Sequence, residues 1–519
     1  MHLFTIQCSK MKLLPVFTLL FCAYEFTLCA NILAVAPGID INYKKLYFPL
    51  WRKLAEKGHN ITLITSSPME PHKNITQIDF SRFKLFNIHS DNNSVHPYRN
   101  PSYLEVLLIT VMKEQFKDPA IRKLLKEGKF DLMFLELEFP YWSALAAKFN
   151  CPLIGLSNKD APPIVHYYMG NAMHPALYPW DDRHVEEFNL ALRTRSTIAT
   201  IFIIVLTSYM SGGTGSYLMS RFVQEGLPDS VDMYGAMSLI FINANPIFHR
   251  PRPITPTTLN LGGFLSISDA QELPEDLQKY LDESKDGCIY VSFGTTVNSA
   301  YLSAEQKEVL TSVFKDMAPM RILWKFDEVD IANKPKNVEI RTWVPQQDVL
   351  RHPNVKAFIT QGGLQSMEEA IDSAVPMLGM PFYGDQNNNV NKMETKKFGL
   401  KLLPTEMNKE SLKAALKELL ENPIYKKNID KLSAISKDQP MKGLEKAVWW
   451  TEYVLRHGTQ HLRSPSADIP LYQYYFLDVI AVVSVCAYVF YKLMKSLILT
   501  LVLILRKLYN FFIVKRKRD

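Results

Sequence analysis

The stretch FITQGGLQSMEEA, Phe358 to Ala370, decides the fold. Its first residues are apolar and β-prone, Gly362-Gly363 break the strand, and the remainder favours a helix. A strand, a glycine turn and a helix in succession present free backbone N–H groups to an anion. In an open parallel α/β sheet such turns lie at the carboxyl ends of the strands, where ligands bind.

Around this stretch the alternation continues. CIYVSFG, RILWKF, VEIRTWVP, VPMLGMP and LKLLP are strand-like, with amphipathic segments between most of them, so residues from about 275 to 440 read as a doubly wound domain. The N-terminal half opens in the same way. NILAVAP, a helical stretch ending LAEKGH, and NITLIT form a β-α-β unit, which implies parallel strands. FDLMFLEL and CPLIGLS then flank the helical SALAAKF. NPIFHRPRPITPTTLNLGG, Asn245 to Gly263, is Pro-rich and reads as a linker between two domains. Two such domains place a ligand in the cleft between them. Residues from about 160 to 240 are less regular and rich in aromatics and methionine, which suits either an apolar ligand cavity or ordinary helical packing. The run Ile198 to Leu206 is too short to span a membrane and reads as a core helix or a hydrophobic surface patch.

The 519 residues allow two or three domains. With 47% hydrophobic and 21% charged residues, the chain is neither disordered nor polytopic. The formal charge of +7 comes in part from Lys515-Arg516-Lys517-Arg518, and no basic motif with interleaved aromatics argues for nucleic acid. Cys151 and Cys288 lie beside strand-like runs and read as small core residues. The cysteine spacing suggests neither a disulfide framework nor a metal site.

Four pieces of the second domain combine: SFGTT (Ser292 to Thr296), WVPQQD (Trp343 to Asp348), QGGLQSMEEA, and PFYGDQNNN (Pro381 to Asn389). In this order and spacing they resemble the signature of the membrane-bound microsomal UDP-glycosyltransferases, the family that includes the UDP-glucuronosyltransferases. The resemblance covers nearly the whole chain. It implies an α/β fold of two Rossmann-like domains in the GT-B arrangement with a C-terminal transmembrane helix. It also implies transfer of a hexose, glucose or glucuronate, from a UDP-sugar to a small lipophilic acceptor with inversion, as in detoxification. In that resemblance Trp343 stacks on uracil and Gln346 hydrogen-bonds the uridine. Ser366, Gln361 and the turn at Gly362-Gly363 hold the diphosphate, which Gly294 and Thr295 approach from the first turn. Glu369 accepts the ribose hydroxyls, and Asp385 with Gln386 binds the donor sugar. The residue types fit these tasks: a carboxylate only accepts hydrogen bonds, which suits a diol, and a helix N-terminus favours an anion. No metal and no other cofactor is expected. The family commonly has His where this chain has Gln361, whose amide can still donate to a phosphate oxygen.

The family's general base, a His before the first long helix, corresponds to Tyr43 within GIDINYKKLYFPL, and its orienting carboxylate corresponds to Glu136. A phenol titrates near ~10 and an imidazole near ~6.5, so Tyr43 is a poor base at neutral pH. Three consequences are open: acceptors that arrive ionised, a substitute base such as Asp40, or a membrane-tethered nucleotide-sugar or lipophile-binding protein with little turnover.

Both chain ends carry topological signals. Residues 1–30 read as a signal peptide, with Lys10 and Lys12 before an apolar run and Ala30 at a cleavage position. The expected order is then an acceptor domain at 31–265 and a UDP-sugar domain at 266–455. A transmembrane segment at 474–505 and a basic cytosolic tail at 506–519 follow. Asn60, Asn74 and Asn92 open glycosylation sequons, Asn60 in the more buried setting. Lys515 and Lys517 stand fifth and third from the end, resembling a dilysine retrieval signal. The expected location is the endoplasmic reticulum membrane, single-pass type I with lumenal domains. Self-association as a homo-oligomer is left open.

Overall fold

The run NILAVA forms strand β1 (Asn31–Ala36), buried at every position after the first, as a strand covered on both faces requires. The computed structural model describes residues 29–37, 46–83, 101–178, 189–247, 249, 251–263, 267–294, 302–327, 331 and 333–516. Asp40, Tyr43, Asn92, Thr295 and Lys517 lie outside the described residues. The chain divides into two units after Arg463.

In the first unit, β1 is followed by α1 (Phe48–Glu56), β2 (Asn60–Thr65), β3 (Ile75–Asp79), β4 (Leu132–Glu136) and β5 (Leu153–Ser157). The long helix α2 (Leu190–Phe222), β6 (Leu239–Ile242) and β7 (Thr258–Asn260) complete this half. The strands run parallel in the order β3-β2-β1-β4-β5-β6-β7. The order reverses between β1 and β4, so a crevice opens beyond their carboxyl ends. Glu136 is the last residue of β4.

After the linker come β8 (Cys288–Ser292), β9 (Arg321–Lys325), β10 (Val338–Arg341), α3 (Gln346–Arg351) and β11 (Val355–Thr360). Next are α4 (Leu364–Asp372), β12 (Met377–Gly379), α5 (Gln386–Thr395) and β13 (Gly399–Lys401). Here the parallel order is β10-β9-β8-β11-β12-β13, and the reversal lies between β8 and β11. Ser292 pairs with Thr360, so the turns that leave these two strands are neighbours although some 70 residues separate them in the chain. Cys288 lies buried in β8, and burial pushes its thiol up to about 12, in keeping with a core residue.

Three expectations change. Helix α6 (Gly443–His457), assigned to the end of the second domain, packs on the first. Ala447, Val448 and Val454 join the core formed by Leu50, Trp51 and Leu54 of α1, and Lys57 pairs with Glu452 at 2.9 Å. The approach is close enough that a β-carbon on Gly443 would stand 2.2 Å from the Leu261 carbonyl oxygen. Of the two readings of the run Ile198 to Leu206, the hydrophobic surface patch holds and the core helix does not, and the run is part of a longer apolar segment than expected. It belongs to α2, whose later residues Leu218 and Met219 are buried while Ile198, Phe202 and Val205 are exposed. Leu190–Tyr209 is long and apolar enough to cross a membrane. Asn60 is exposed at the edge of its strand, whereas Asn74 is half-buried and its amide donates to the Ala55 carbonyl.

The second unit contains α7 (Leu477–Arg516), one continuous helix of 40 residues. Leu477–Ile513 is long and apolar enough to cross a membrane. At ~1.5 Å per residue it exceeds the ~20 residues that a span requires, so Lys492 and Lys495 interrupt the apolar run without breaking the helix.

Candidate active site

A cavity of about 610 Å³ lies at the carboxyl ends of the second sheet, with Glu138, Asn158 and Lys159 of the first half completing its wall. Its floor is made of the two adjacent glycine turns. Gly294 follows β8 with φ +76, and Gly362 follows β11 with φ +84, a region that favours glycine. The Gln361 side chain, only 6% exposed, fills the space between them. A β-carbon on Gly294 would stand 2.2 Å from Gln361 Nε2, and one on Gly363 would stand 3.2 Å away. Gly363 is the N-cap of α4, and no side chain caps that helix. Its first N–H groups are therefore left for a ligand, and its dipole favours an anion there. Gly362 is held from behind: its carbonyl accepts from Asn389 Nδ2 at 3.0 Å, and a β-carbon would meet Val390 at 2.3 Å.

The wall beside α4 is a continuous hydrogen-bond network. Tyr290 donates its hydroxyl to Gln346 Oε1 at 3.1 Å. Gln346 Nε2 donates to Ser366 Oγ at 3.1 Å and to Glu369 Oε2 at 2.5 Å. Gln347 Nε2 donates to Glu369 Oε1 at 3.1 Å, while its own carbonyl accepts from the Ser268 backbone and hydroxyl. Each Glu369 oxygen thus takes one amide proton and keeps lone pairs for a diol. Burial raises the Glu369 carboxyl above the ordinary range, and the Gln346 and Gln347 hydrogen bonds oppose that effect. Trp343, 64% exposed, lines the cavity.

Asp385 and Gln386 begin α5 on the opposite side. Asp385 Oδ2 accepts from Asn389 at 2.9 Å. Gln386 Oε1 accepts from the backbone N–H groups of Phe382 and Tyr383 at 2.8 and 3.1 Å. That carbonyl is committed to shaping the turn, and the amide NH2 is the end that suits a sugar hydroxyl. Sequence reasoning missed Lys325, the last residue of β9, whose side chain is nine-tenths buried in the same wall. Its Nζ donates to the Gly294 carbonyl at 3.1 Å and pairs with Asp327 at 2.7 Å. The available signal was its register: β9 lies beside β8, opposite the first glycine turn.

On the first half the expected acid–base pair is only partly described. Glu136 is buried at the end of β4 and does not line the cavity; Glu138, two residues on, is exposed and does. Tyr47 lies buried nearby, its hydroxyl without a hydrogen-bond partner among the described residues. Burial, with the charges of Glu136 and Glu138, raises its pKa well above the ordinary phenol value. No histidine among the described residues lines the cavity. His166 is fully buried elsewhere. The Thr255 N–H donates to Asn171 Oδ1, so Asn171 Nδ2 faces His166 Nδ1 at 3.0 Å. The imidazole proton therefore sits on Nε2 and is donated to Asp160 at 3.0 Å.

Residues 52–512 match the family described as UDP-glucoronosyl and UDP-glucosyl transferase. UDP-glucosyltransferase 2 of Dactylopius coccus is 31% identical to this chain, covering 89% of it and 91% of the relative. UDP-glucuronosyltransferase 1A6 of Mus musculus is 30% identical, covering 82% of this chain and 83% of the relative. The solved structure of UDP-glucose: anthocyanidin 3-O-glucosyltransferase in complex with UDP superimposes with a TM-score of 0.54 at 16% identity. That match covers 82% of this chain and 98% of the other. The fold is the GT-B arrangement of two parallel α/β sheets.

Proposed function

Since this chain belongs to the UDP-glucuronosyl and UDP-glucosyl transferase family, we propose that it transfers a hexose, glucose or glucuronate, from a UDP-sugar to a small lipophilic acceptor with inversion. The observation that carries this is the convergence of Trp343, Gln346, Ser366, Glu369, Asp385 and Gln386 on one cavity floored by two glycine turns. In this reading the acceptor oxygen attacks the anomeric carbon, the bond to the diphosphate breaks, and UDP leaves with both electrons. The acceptor proton passes to a group of the first domain. Trp343 stacks on the base, Glu369 holds the ribose diol, and Gly363, Ser366 and Gln361 hold the diphosphate. Charge on the leaving group is met by the N-terminus of α4 and by Lys325 without a metal ion.

In the same reading the first half takes the acceptor and the second half the donor, with α6 returning to the first half. Helix α7 spans the endoplasmic reticulum membrane with the domains lumenal, and Lys515 and Lys517 form the retrieval signal. A second reading, a tethered binding protein with little turnover, is favoured by one observation: the position of the family's histidine is Tyr43. The two are separated by incubating microsomes bearing the full chain with UDP-glucose or UDP-glucuronate and a panel of phenols, alcohols and carboxylic acids. Acceptor-dependent UDP release supports the transferase. Saturable donor binding without release across the panel supports the binding protein.

A further inference from the structure

Beside Glu369, which faces the cavity, the next residue on α4 is also a carboxylate. Glu368 is fully buried. Successive residues of a helix point about 100° apart, so Glu368 looks away from the cavity. What it meets belongs to the other half of the chain. Asn243, fully buried just beyond β6, donates Nδ2 to Glu368 Oε1 at 3.3 Å. The same Nδ2 donates to the Asn158 carbonyl at 3.4 Å, and Asn158 belongs to the cavity wall of the first half. The linker closes over this contact: Gly263, at φ +68, leaves room where a β-carbon would stand 2.9 Å from Glu368 Oε1. The preceding Gly262 carbonyl accepts from Asn245 Nδ2.

A buried carboxylate is costly, and an apolar side chain of similar volume would fill the same space without that penalty. We propose that Glu368 is a positioning residue that couples the nucleotide site on α4 to the first domain through Asn243. The coupled elements are contiguous. Ser366 and Glu369 on α4 face the donor, Glu368 on the same rigid turn holds Asn243, and Asn243 holds the Asn158 segment that faces the acceptor side. Ordering α4 around a nucleotide therefore orders the opposite wall. The proposal rests on UDP binding at α4 as described above.

The test uses the full-length chain in detergent micelles, with UDP as the probe, read by titration calorimetry and by amide hydrogen exchange at residues 153–160 and 258–263. In the parent protein UDP should slow exchange in both segments by about tenfold, the scale of coupling between contacting groups. Asn243→Asp sets two carboxylates against each other and should abolish the effect at 153–160 while UDP affinity stays within about threefold. Adding Glu368→Gln gives residue 243 a donor again on the α4 side but leaves a carboxylate against the Asn158 carbonyl, so the double variant should regain stability without regaining protection at 153–160. Glu368→Met, close in volume, should lose the protection as Asn243→Asp does, which guards against a variant that fails to fold. The proposal is overturned if UDP leaves exchange at 153–160 unchanged in the parent, if Asn243→Asp or Glu368→Met retains the protection, or if the double variant regains it in full. Failure of the parent to bind UDP would instead overturn the donor-site reading.

Discussion

Gly294 and Gln361 are in such close contact that a β-carbon on the glycine would lie 2.2 Å from the glutamine Nε2. The contact joins two turns that leave neighbouring strands, and it holds the floor of the candidate donor cavity in one shape.

Replacing Gly294 by Ala should therefore cost more than its backbone conformation alone. Gly226 supplies the control: its φ is +77, against +76 for Gly294, and a β-carbon there meets nothing within 4 Å. Gly226→Ala should destabilise by about 1 kcal/mol through left-handed strain only. Gly294→Ala should destabilise further and weaken UDP binding by more than about tenfold, because the Gln361 amide must leave its place. Chemical denaturation and UDP titration of both variants measure the difference. Equal losses in the two would mean that the Gln361 contact carries no weight.

Glu369 should show opposite effects on binding and on stability. Burial raises its carboxyl, so the folded state holds that proton more tightly than the unfolded chain does. The group's favourable contribution is complete below the ordinary carboxyl value near ~4.3 and is lost as pH rises through the folded value. At neutral pH the buried charge is a penalty that Glu369→Gln removes. The variant also sets its own NH2 against that of Gln346 or Gln347, so it should gain little at pH 7 but should lose this group's share of the pH dependence between about pH 7 and 4. It should also bind UDP at least about tenfold more weakly, while UDP affinity of the parent should fall on acidification as the carboxyl takes up its proton. Calorimetric melting and UDP titration across pH test both halves.

The His166–Asp160 pair should act as a structural lock with its own pH signature. Burial keeps His166 below its ordinary value, against the opposing effect of Asp160. The unfolded chain takes up a proton near pH ~6.5 that the folded chain refuses, so stability falls as pH drops below that value. Burial alone would raise Asp160, but the His166 hydrogen bond and the positive charge nearby, Arg252 included, hold it at about 2. Its contribution is present above ~3.9 and is lost as pH falls toward the folded value. His166→Gln should lower the melting temperature at pH 7, flatten the decline between pH 7 and 5, and leave UDP affinity within about twofold. A large loss of UDP affinity in a folded variant would give His166 a role at the donor site.

Tyr43 should limit turnover of neutral acceptors. An aliphatic alcohol needs its proton removed as the new bond forms, and general-base assistance is worth ~10²–10⁴-fold; a carboxylic acid arrives ionised. Tyr43→His should raise initial rates most for alcohols, less for phenols and least for carboxylic acids at saturating donor. Glu136→Ala should cost more in the His variant than in the parent, because the carboxylate would then orient and stabilise an imidazolium. No gain for alcohols in a folded His variant would place the base elsewhere, with Glu138 on the cavity wall the next residue to substitute.

The candidate donor residues are legible in the sequence because the segments that carry the family's signature are local. The strand β11, the Gly362-Gly363 turn and the helix that bears Ser366 and Glu369 occupy fewer than 20 consecutive residues; periodicity with glycine chemistry is enough to read the strand, turn and helix, while the roles of the side chains come from the family resemblance. The pairs of parallel strands follow from the same kind of local signal. Other features depend on which strands become neighbours and which faces the two halves present to each other. The meeting of Gly294 with Gln361, the Lys325 ammonium beneath the first turn, and the Asn243–Glu368 bond across 125 positions are of this kind. So is the return of α6 to the first sheet: its amphipathic pattern announces a buried face, but not which core buries it. The first residues of α2 are a related case, since their apolar run suits a core helix or a surface patch alike and only the packing of the first domain leaves them exposed. Hydrophobic pattern constrains each segment against its immediate neighbours in the chain, while contacts between distant segments are selected by the packing of the whole domain.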